Sequence, residues 1–177
     1  TLVAVVTDEA TNGLREIISN WNGAAGNTGS SIFLGLADQG SIRWTDDAPQ
    51  AGIWSDRTRP AVLVASDGPQ GAAVHLGNRL LTTRSARLSP RRFDTGWVVG
   101  TQGNIDGEYW QGTISALMVF DRQLPDGQRH QVVNRLARRF GVTLNAEPAA
   151  EIRSVERRAW ESLVVVLVNA NEFLFLD

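Results

Sequence analysis

The sequence predicts an all-β fold, an antiparallel β-sandwich of jelly-roll-like topology with a C-terminal helix packed on it. Three observations carry this prediction. Short segments of alternating side chains recur along the chain, and linkers rich in Gly, Asp, Asn and Pro separate them. The last of these segments runs through a short turn into an amphipathic helical pattern.

Taken in order, TLVAVVT is apolar and β-branched, and TDEATNG closes it with turn formers. LREIISNW is a second short candidate. The polar, glycine-rich NGAAGNTGS then leads to SIFLGLA, and ADQG joins that segment as a hairpin to SIRWTDD, where Ile42 and Trp44 share one face. Further strands read at PAVLVAS, AAVHLGN and TGWVVGT. In TISALMVF, Ile114, Ala116, Met118 and Phe120 fall on one face and Leu117 and Val119 on the other. Its second half is apolar on both faces, so something must cover it. The cover is the helix predicted over residues 126–140, where Val132, Val133, Leu136, Ala137 and Phe140 recur at spacings of three and four. Gly141 stops that helix, and Gln131, Arg135 and Arg138 lie on its other face.

Beyond residue 144 the composition changes. NAEPAAE reads as a linker, and residues 151–168 read as a second helix with Ile152, Val155, Ala159, Trp160, Leu163 and Leu167 as its apolar stripe. The expected division is a β-sandwich over 1–144 and a linker plus helical tail over 145–177, the tail belonging to a neighbouring domain. That stripe is too apolar to stay in water alone.

Composition narrows the function. A chain of 177 residues suits one domain with a substantial core. A formal net charge of −2 excludes the whole-chain basic bias of a nucleic-acid surface. With 0 cysteines, disulfides, thiolate chemistry, Cys-built zinc sites and covalently attached haem are all excluded. TLVAVVTDEATNG has no basic leader with a long apolar region, and a fragment would lack one too. The longest apolar runs, such as LVVVLV, are far shorter than the roughly 20 residues a membrane-spanning helix needs.

The segment GEYWQGTISALMVFDRQLPDGQRHQVVNRLARRFGV resembles the end of a laminin-G-like domain of the concanavalin A-like lectin and glucanase superfamily. The resemblance rests on Gly112, Ile114, Phe120-Asp121-Arg122, Leu124 and Phe140-Gly141. GNIDGEYWQG matches the approach to that last strand, and SIFLGLADQGSIRW resembles an early hairpin of the family. The match spans roughly residues 1–143. Family members open with one or two strands that would precede Thr1, and they often carry Ser at the start of the last helix. Here Pro125-Asp126 stands there, so the cap is expected to shift to Asp126 or weaken. The tail RRAWESLVVVLVNANEFLFLD is similar to the C-terminal end of large planctomycete-type proteins of unknown function. Those proteins pair two uncharacterised domains with a cytochrome-c-like domain, and some carry a laminin-G-like insertion. Trp160, Leu163, Leu167, Asn169, Asn171, Glu172, Phe173 and Asp177 carry that similarity.

The superfamily includes glycoside hydrolases, whose chemistry needs two carboxylates about 5 to 10 Å apart in one cleft. The glucanase pattern Glu-x-Asp-x-x-Glu has its nearest counterpart in EIRSVE, where Arg153 takes the place of the Asp. Asp106 and Glu108 have the right alternate spacing but sit in a Gly-flanked loop, where a solvated role is the alternative. Sugar sites stack a pyranose on an aromatic ring amid amides and carboxylates. Trp21 with Asn22 and Asn27, and Trp44 and Trp54 around a turn, are the candidates here; core packing is the alternative for each Trp. Trp97 and Trp110 read as strand residues filling the core or its rim. The resemblance also suggests a calcium site, for which loop residues Asp46, Asp47 and Asp106 are candidates, against plain solvation. His75 reads as a partly covered strand residue, and His130 has no ligand pattern around it. The arginines of the last helix and of TTRSARLSPRRF serve solubility or docking to an acidic neighbour.

The resulting expectation is a non-catalytic recognition module, binding carbohydrate or protein, in a larger extracytoplasmic protein. Its partners are a glycan or protein ligand and neighbouring domains, with no nucleic acid and no membrane insertion. No cofactor is required, and calcium is the candidate. A structural spacer and a glycoside hydrolase-like enzyme are the alternatives.

Overall fold

All five residues of the first strand β1, Leu2–Val6, are buried. Side chains alternate across a strand, so complete burial means that both faces are covered. Leu2, Ala4 and Val6 join one apolar cluster, while Val3 and Val5 join another. The architecture follows from these two covers.

The computed structural model describes residues 1–21, 32–45, 51–85, 87–88, 96–102 and 106–144, with the backbone alone of 164–166, 168–169 and 172–173. The strands after β1 are β2 (Arg15–Ser19), β3 (Phe33–Leu36), β4 (Ile42–Trp44), β5 (Ala61–Gly68), β6 (Gly71–Leu76), β7 (Arg79–Arg84), β8 (Val98–Val99) and β9 (Ile114–Val119). Helix α1 (Asp126–Phe140) follows, and then β10 (Val164–Val166), β11 (Val168–Asn169) and β12 (Glu172–Phe173). A six-stranded sheet runs β10-β9-β1-β5-β6-β7, a four-stranded sheet runs β4-β3-β2-β8, and β11 pairs with β12. All pairings within the sheets are antiparallel.

The first apolar cluster lies between the two large sheets. Leu63 and Ala65 from one meet Ile17, Leu34, Leu36, Ile42 and Trp44 from the other. The second lies between the six-stranded sheet and α1, where Val62, Val64 and Ala116 receive Val132, Val133 and Leu136. Burying each such side chain contributes about 1.5–3 kcal/mol. Gly141 ends α1 at φ 66, and the Val142 N–H donates to the Ala137 carbonyl at 2.9 Å. Only glycine adopts that conformation without penalty.

Four expectations change or narrow. A β-bulge between Val5 and Val6 pairs Val6 with Ile114 and leaves Ser115 extra. Ile114 is thereby turned from the helix side to the inter-sheet cluster. The N-cap of α1 is Pro125, with no side-chain hydrogen bond, so the cap does not shift to Asp126, the first helical residue, but weakens, the other expected outcome. Its charge still suits the positive end of the helix dipole. Strand β7 is absent from the sequence reading because RLLTTR shows no apolar alternation; it is an exposed edge strand entered through Gly77, which takes φ 61.

The fourth change concerns the tail. The helix expected over residues 151–168 is replaced at its end by strand: Val164–Val166 pairs with Val119 to Leu117 of β9. Valine runs favour extended backbone. This part of the tail therefore sits on the edge of the six-stranded sheet, and residues 145–163 lie outside the described residues.

Candidate functional site

The outward face of the four-stranded sheet is built by alternation. Leu34, Leu36, Ile42 and Trp44 point into the core, which turns Phe33, Gly35 and Arg43 outward. Register aligns Arg43 with Gly35, and Gly35 with Glu16. A bulge in β2 makes Ile17 the extra residue, so Ile17 and Ile18 both enter the core while Glu16 faces out. The Glu16 N–H donates to the Glu108 carbonyl at 3.0 Å, which extends the row onto the loop before β9.

Along this row, Arg43 Nη1 donates to Glu16 Oε1 at 2.6 Å and lies 3.6 Å from Glu108 Oε2. The guanidinium also sits 4.7 Å from the centroid of the Phe33 ring. Gly35 makes the arrangement possible, because a Cβ there would collide with the Glu16 carboxylate and the Arg15 carbonyl. With its amide nitrogen turned toward Glu108, the buried Gln102 donates to that carboxylate. The Arg43 and Glu108 side chains are 14% and 17% exposed, whereas that of Glu16 is 0% exposed. Thr45 at φ 57 and Glu108 at φ 55 bracket the row in left-handed conformations. Such backbone costs on the order of 1–3 kcal/mol in non-glycine residues and concentrates at functional sites.

One exposed aromatic ring adjoins the row. Tyr109 follows Glu108 and is 55% exposed. Its hydroxyl donates to Asp106 Oδ1 at 2.6 Å, and that bond, with the Asp106 charge, raises the phenol's pKa above its ordinary value. Trp97, just before β8, is 42% exposed, which excludes the core and leaves the rim of the two places read from the sequence. Trp110 is half-buried against the inter-sheet cluster.

The residues expected from sequence divide. Trp44 and Trp54 are 2% exposed in the inter-sheet core, too little surface to stack a sugar; packing is their role. Trp21 is half-buried at the end of β2, its N–H donating to Ser19 Oγ at 3.0 Å. Asn22, Asn27, Asp46 and Asp47 lie outside the described residues. Asp106 and Glu108 do not act as a pair: one meets Tyr109, the other Arg43 and Gln102. Among the described residues, no group of three or more acidic or histidine side chains is placed to hold a metal ion.

Other charged groups are structural. Asp8 accepts bonds from Arg15 Nε and Nη2 and from Arg57 Nη1, at 2.7 to 2.8 Å, with its side chain 0% exposed. This buried triad fixes the exit of β1 against β2 and the segment before β5. Arg129, expected on the basic surface of α1, is buried instead. His75 is buried beneath α1, and burial first, then the Arg129 charge, lowers its pKa from 6.5 to about 4. A cleft of about 280 Å³ opens beside the C-terminal end of α1, lined by Arg59, Val62, Leu76 and Leu144 among others.

Arg43, Glu16 and Gln102 were not singled out in the sequence, and Glu108 was weighed there only as a carboxylate paired with Asp106. A usable signal was present: charged residues at outward positions of two strands, with glycine on the strand between them.

Chemically, the row can donate and accept hydrogen bonds side by side. Two carboxylates near one guanidinium nitrogen raise the question of a glycosidase pair, whose carboxyl groups stand about 5–5.5 Å apart in retaining enzymes. Glu16, however, is fully covered, and both carboxylates must face the substrate.

No protein-family model matches the chain, and no curated protein matches it. Among solved structures, the CBM40 module of the Ruminococcus gnavus IT-sialidase bound to α2,6-sialyllactose is similar with a TM-score of 0.55 and 17% identity. That match covers 75% of this chain and 81% of the module's. The same module without that ligand gives 0.53 at 19% identity, covering 75% and 80%. The leech intramolecular trans-sialidase complexed with 2,7-anhydro-Neu5Ac gives 0.52 at 22% identity, covering 83% of this chain but only 24% of that enzyme. The likeness is one of fold: a β-sandwich of two antiparallel sheets with, among the described residues, one α-helix packed on it. No helix among the described residues is long and apolar enough to cross a membrane.

Proposed function

We propose that this chain is a non-catalytic carbohydrate-recognition module with a concanavalin A-like, jelly-roll-like sandwich, working outside the cytoplasm, periplasmic or cell-surface, within a larger protein. One observation carries the reading: the Arg43–Gly35–Glu16–Glu108 row crosses an outward sheet face and ends beside the exposed ring of Tyr109, which follows Glu108. Sugar sites combine an aromatic ring for the apolar face of a pyranose with fixed donors and acceptors for its hydroxyls. The Ruminococcus gnavus CBM40 module of the same fold, with structures bound to α2,6- and to α2,3-sialyllactose, supports it. The covered Glu16 argues against hydrolysis, since a general acid or nucleophile must touch the glycosidic bond. Calcium enters the proposal through Asp46, Asp47 and Asp106, and its removal is part of the test.

A glycan array probed with the full chain, with and without a calcium chelator, tests this. Binding to defined glycans is expected, with no release of reducing sugar, and Tyr109→Ala should abolish it while changing stability by less than about 0.5 kcal/mol. Loss of signal on chelation would establish the metal. Absence of binding across the array, with the protein folded, would leave the spacer role; hydrolysis would make it an enzyme.

A further inference from the structure

We infer that this face selects neutral, hydroxyl-rich sugars over sugars that carry a carboxylate; the inference rests on the glycan-recognition reading above. An arginine on a recognition face invites the opposite expectation, because a guanidinium is the natural partner of a ligand carboxylate. Arg43 is not placed for that role. Glu16 already takes its Nη1 at 2.6 Å from a fully covered position, and Glu108 stands 3.6 Å from the same nitrogen. Among the described residues, the row therefore holds one guanidinium and two carboxylates.

Glu108 cannot readily leave. Gln102 donates to its carboxylate, the Glu108 carbonyl accepts the Glu16 N–H, and the residue is set at φ 55. A carboxylate seeking Arg43 must approach Glu108 at close range, where partial burial weakens solvent screening of the like charges. Hydroxyls meet no such barrier. Glu108, 17% exposed, is an acceptor, and Nε and Nη2 of Arg43 make no hydrogen bond among the described residues. A vicinal diol can donate to the first and accept from the second. Glu108 is thus the residue that sets specificity, with Gln102 and Glu16 holding the constellation in place.

The experiment compares matched pairs of glycans, neutral and sialylated, on the array, and then titrates lactose, 3′-sialyllactose and sodium acetate while observing the Arg43 Nε–H resonance. The wild-type chain is expected to bind neutral members at least about tenfold more tightly than their sialylated counterparts. Its Arg43 signal should not respond to acetate. Glu108→Gln keeps the shape and the Gln102 contact, and should close that gap and let acetate shift the signal. A wild-type preference for sialylated glycans, or saturable acetate binding at Arg43 in the wild type, overturns the inference. If no glycan binds, the recognition reading fails by itself, and the acetate titration of the wild type still decides whether Glu108 bars anions.

Discussion

The outward face of the six-stranded sheet is closed by helix α1 over Val3, Val5, Val62 and Val64, whereas the outward face of the four-stranded sheet carries a guanidinium and two carboxylates in a line. Both faces border the same inter-sheet core, and both are shaped by a one-residue bulge, in β1–β9 on one side and in β2–β3 on the other. Apolar burial over a helix yields stability without selectivity. An ion row yields little net stability, since desolvation offsets the Coulomb gain, but it places donors and acceptors with strict geometry. The difference separates the part of the molecule that holds the fold from the part that can recognise something.

The largest effect is expected on the helix side. Leu136 is 3% exposed, and Leu136→Ala should lower the unfolding free energy by about 2–5 kcal/mol in urea titrations. A loss below about half a kcal/mol, the range of surface changes, would remove α1 from the account of stability. The charged face should respond next, at its narrowest point. Gly35→Ala forces a methyl into the Glu16 carboxylate and is expected to cost about 1–3 kcal/mol, with the Arg43 side-chain resonances displaced. An unchanged midpoint would show that Glu16 does not lie across Gly35.

The reading of the sequence succeeded where one periodicity decided the outcome. The helix over 126–140 was legible because its apolar spacing and Gly141 agreed, and β1 to β4 because short apolar or β-branched runs stand between turn-forming segments. It failed where pairing decided it. Ile114 changed sides through a bulge that is a property of two strands together. The row at Arg43 was invisible because Glu16, Gly35, Arg43 and Glu108 are far apart in the chain and meet only through register. Trp44 and Trp54, candidates for their rings with core packing as the alternative, proved to be core, while Trp97, read as core or rim, is 42% exposed.

Acid should distinguish the two faces further. His75 binds its proton near pH 6.5 when unfolded and near 4 when buried beneath α1 beside Arg129, with Asp126 and His130 of the helix acting on it in opposite senses. Between those values the unfolded chain binds more protons, so stability falls as pH drops from about 6.5 toward 4 and levels off below. Urea midpoints across this range should show that slope, and His75→Gln should flatten it; an identical slope in the variant would place the acid sensitivity elsewhere.

The smallest effect is expected from the tail. Val164–Val166 adds only three residue pairs to the edge of β9, and the expectation that residues 145–177 belong with a neighbouring domain is carried here as a proposal. Removing residues 146–177 should lower the thermal midpoint by no more than about 2–4 °C, the equivalent of about 1 kcal/mol in a domain of this size. A much larger drop with cooperative unfolding retained would make β10 an integral strand of the sandwich.

The most direct test of recognition on the ionic face is a map of amide and arginine side-chain shifts during titration with the strongest glycan from the array. Shifts are predicted at Gly35, Arg43, Glu108 and Tyr109, with Val133 and Leu136 of the helix side unmoved. Shifts confined to α1 or to the cleft around Arg59, with Arg43 and Glu108 silent, would contradict the account.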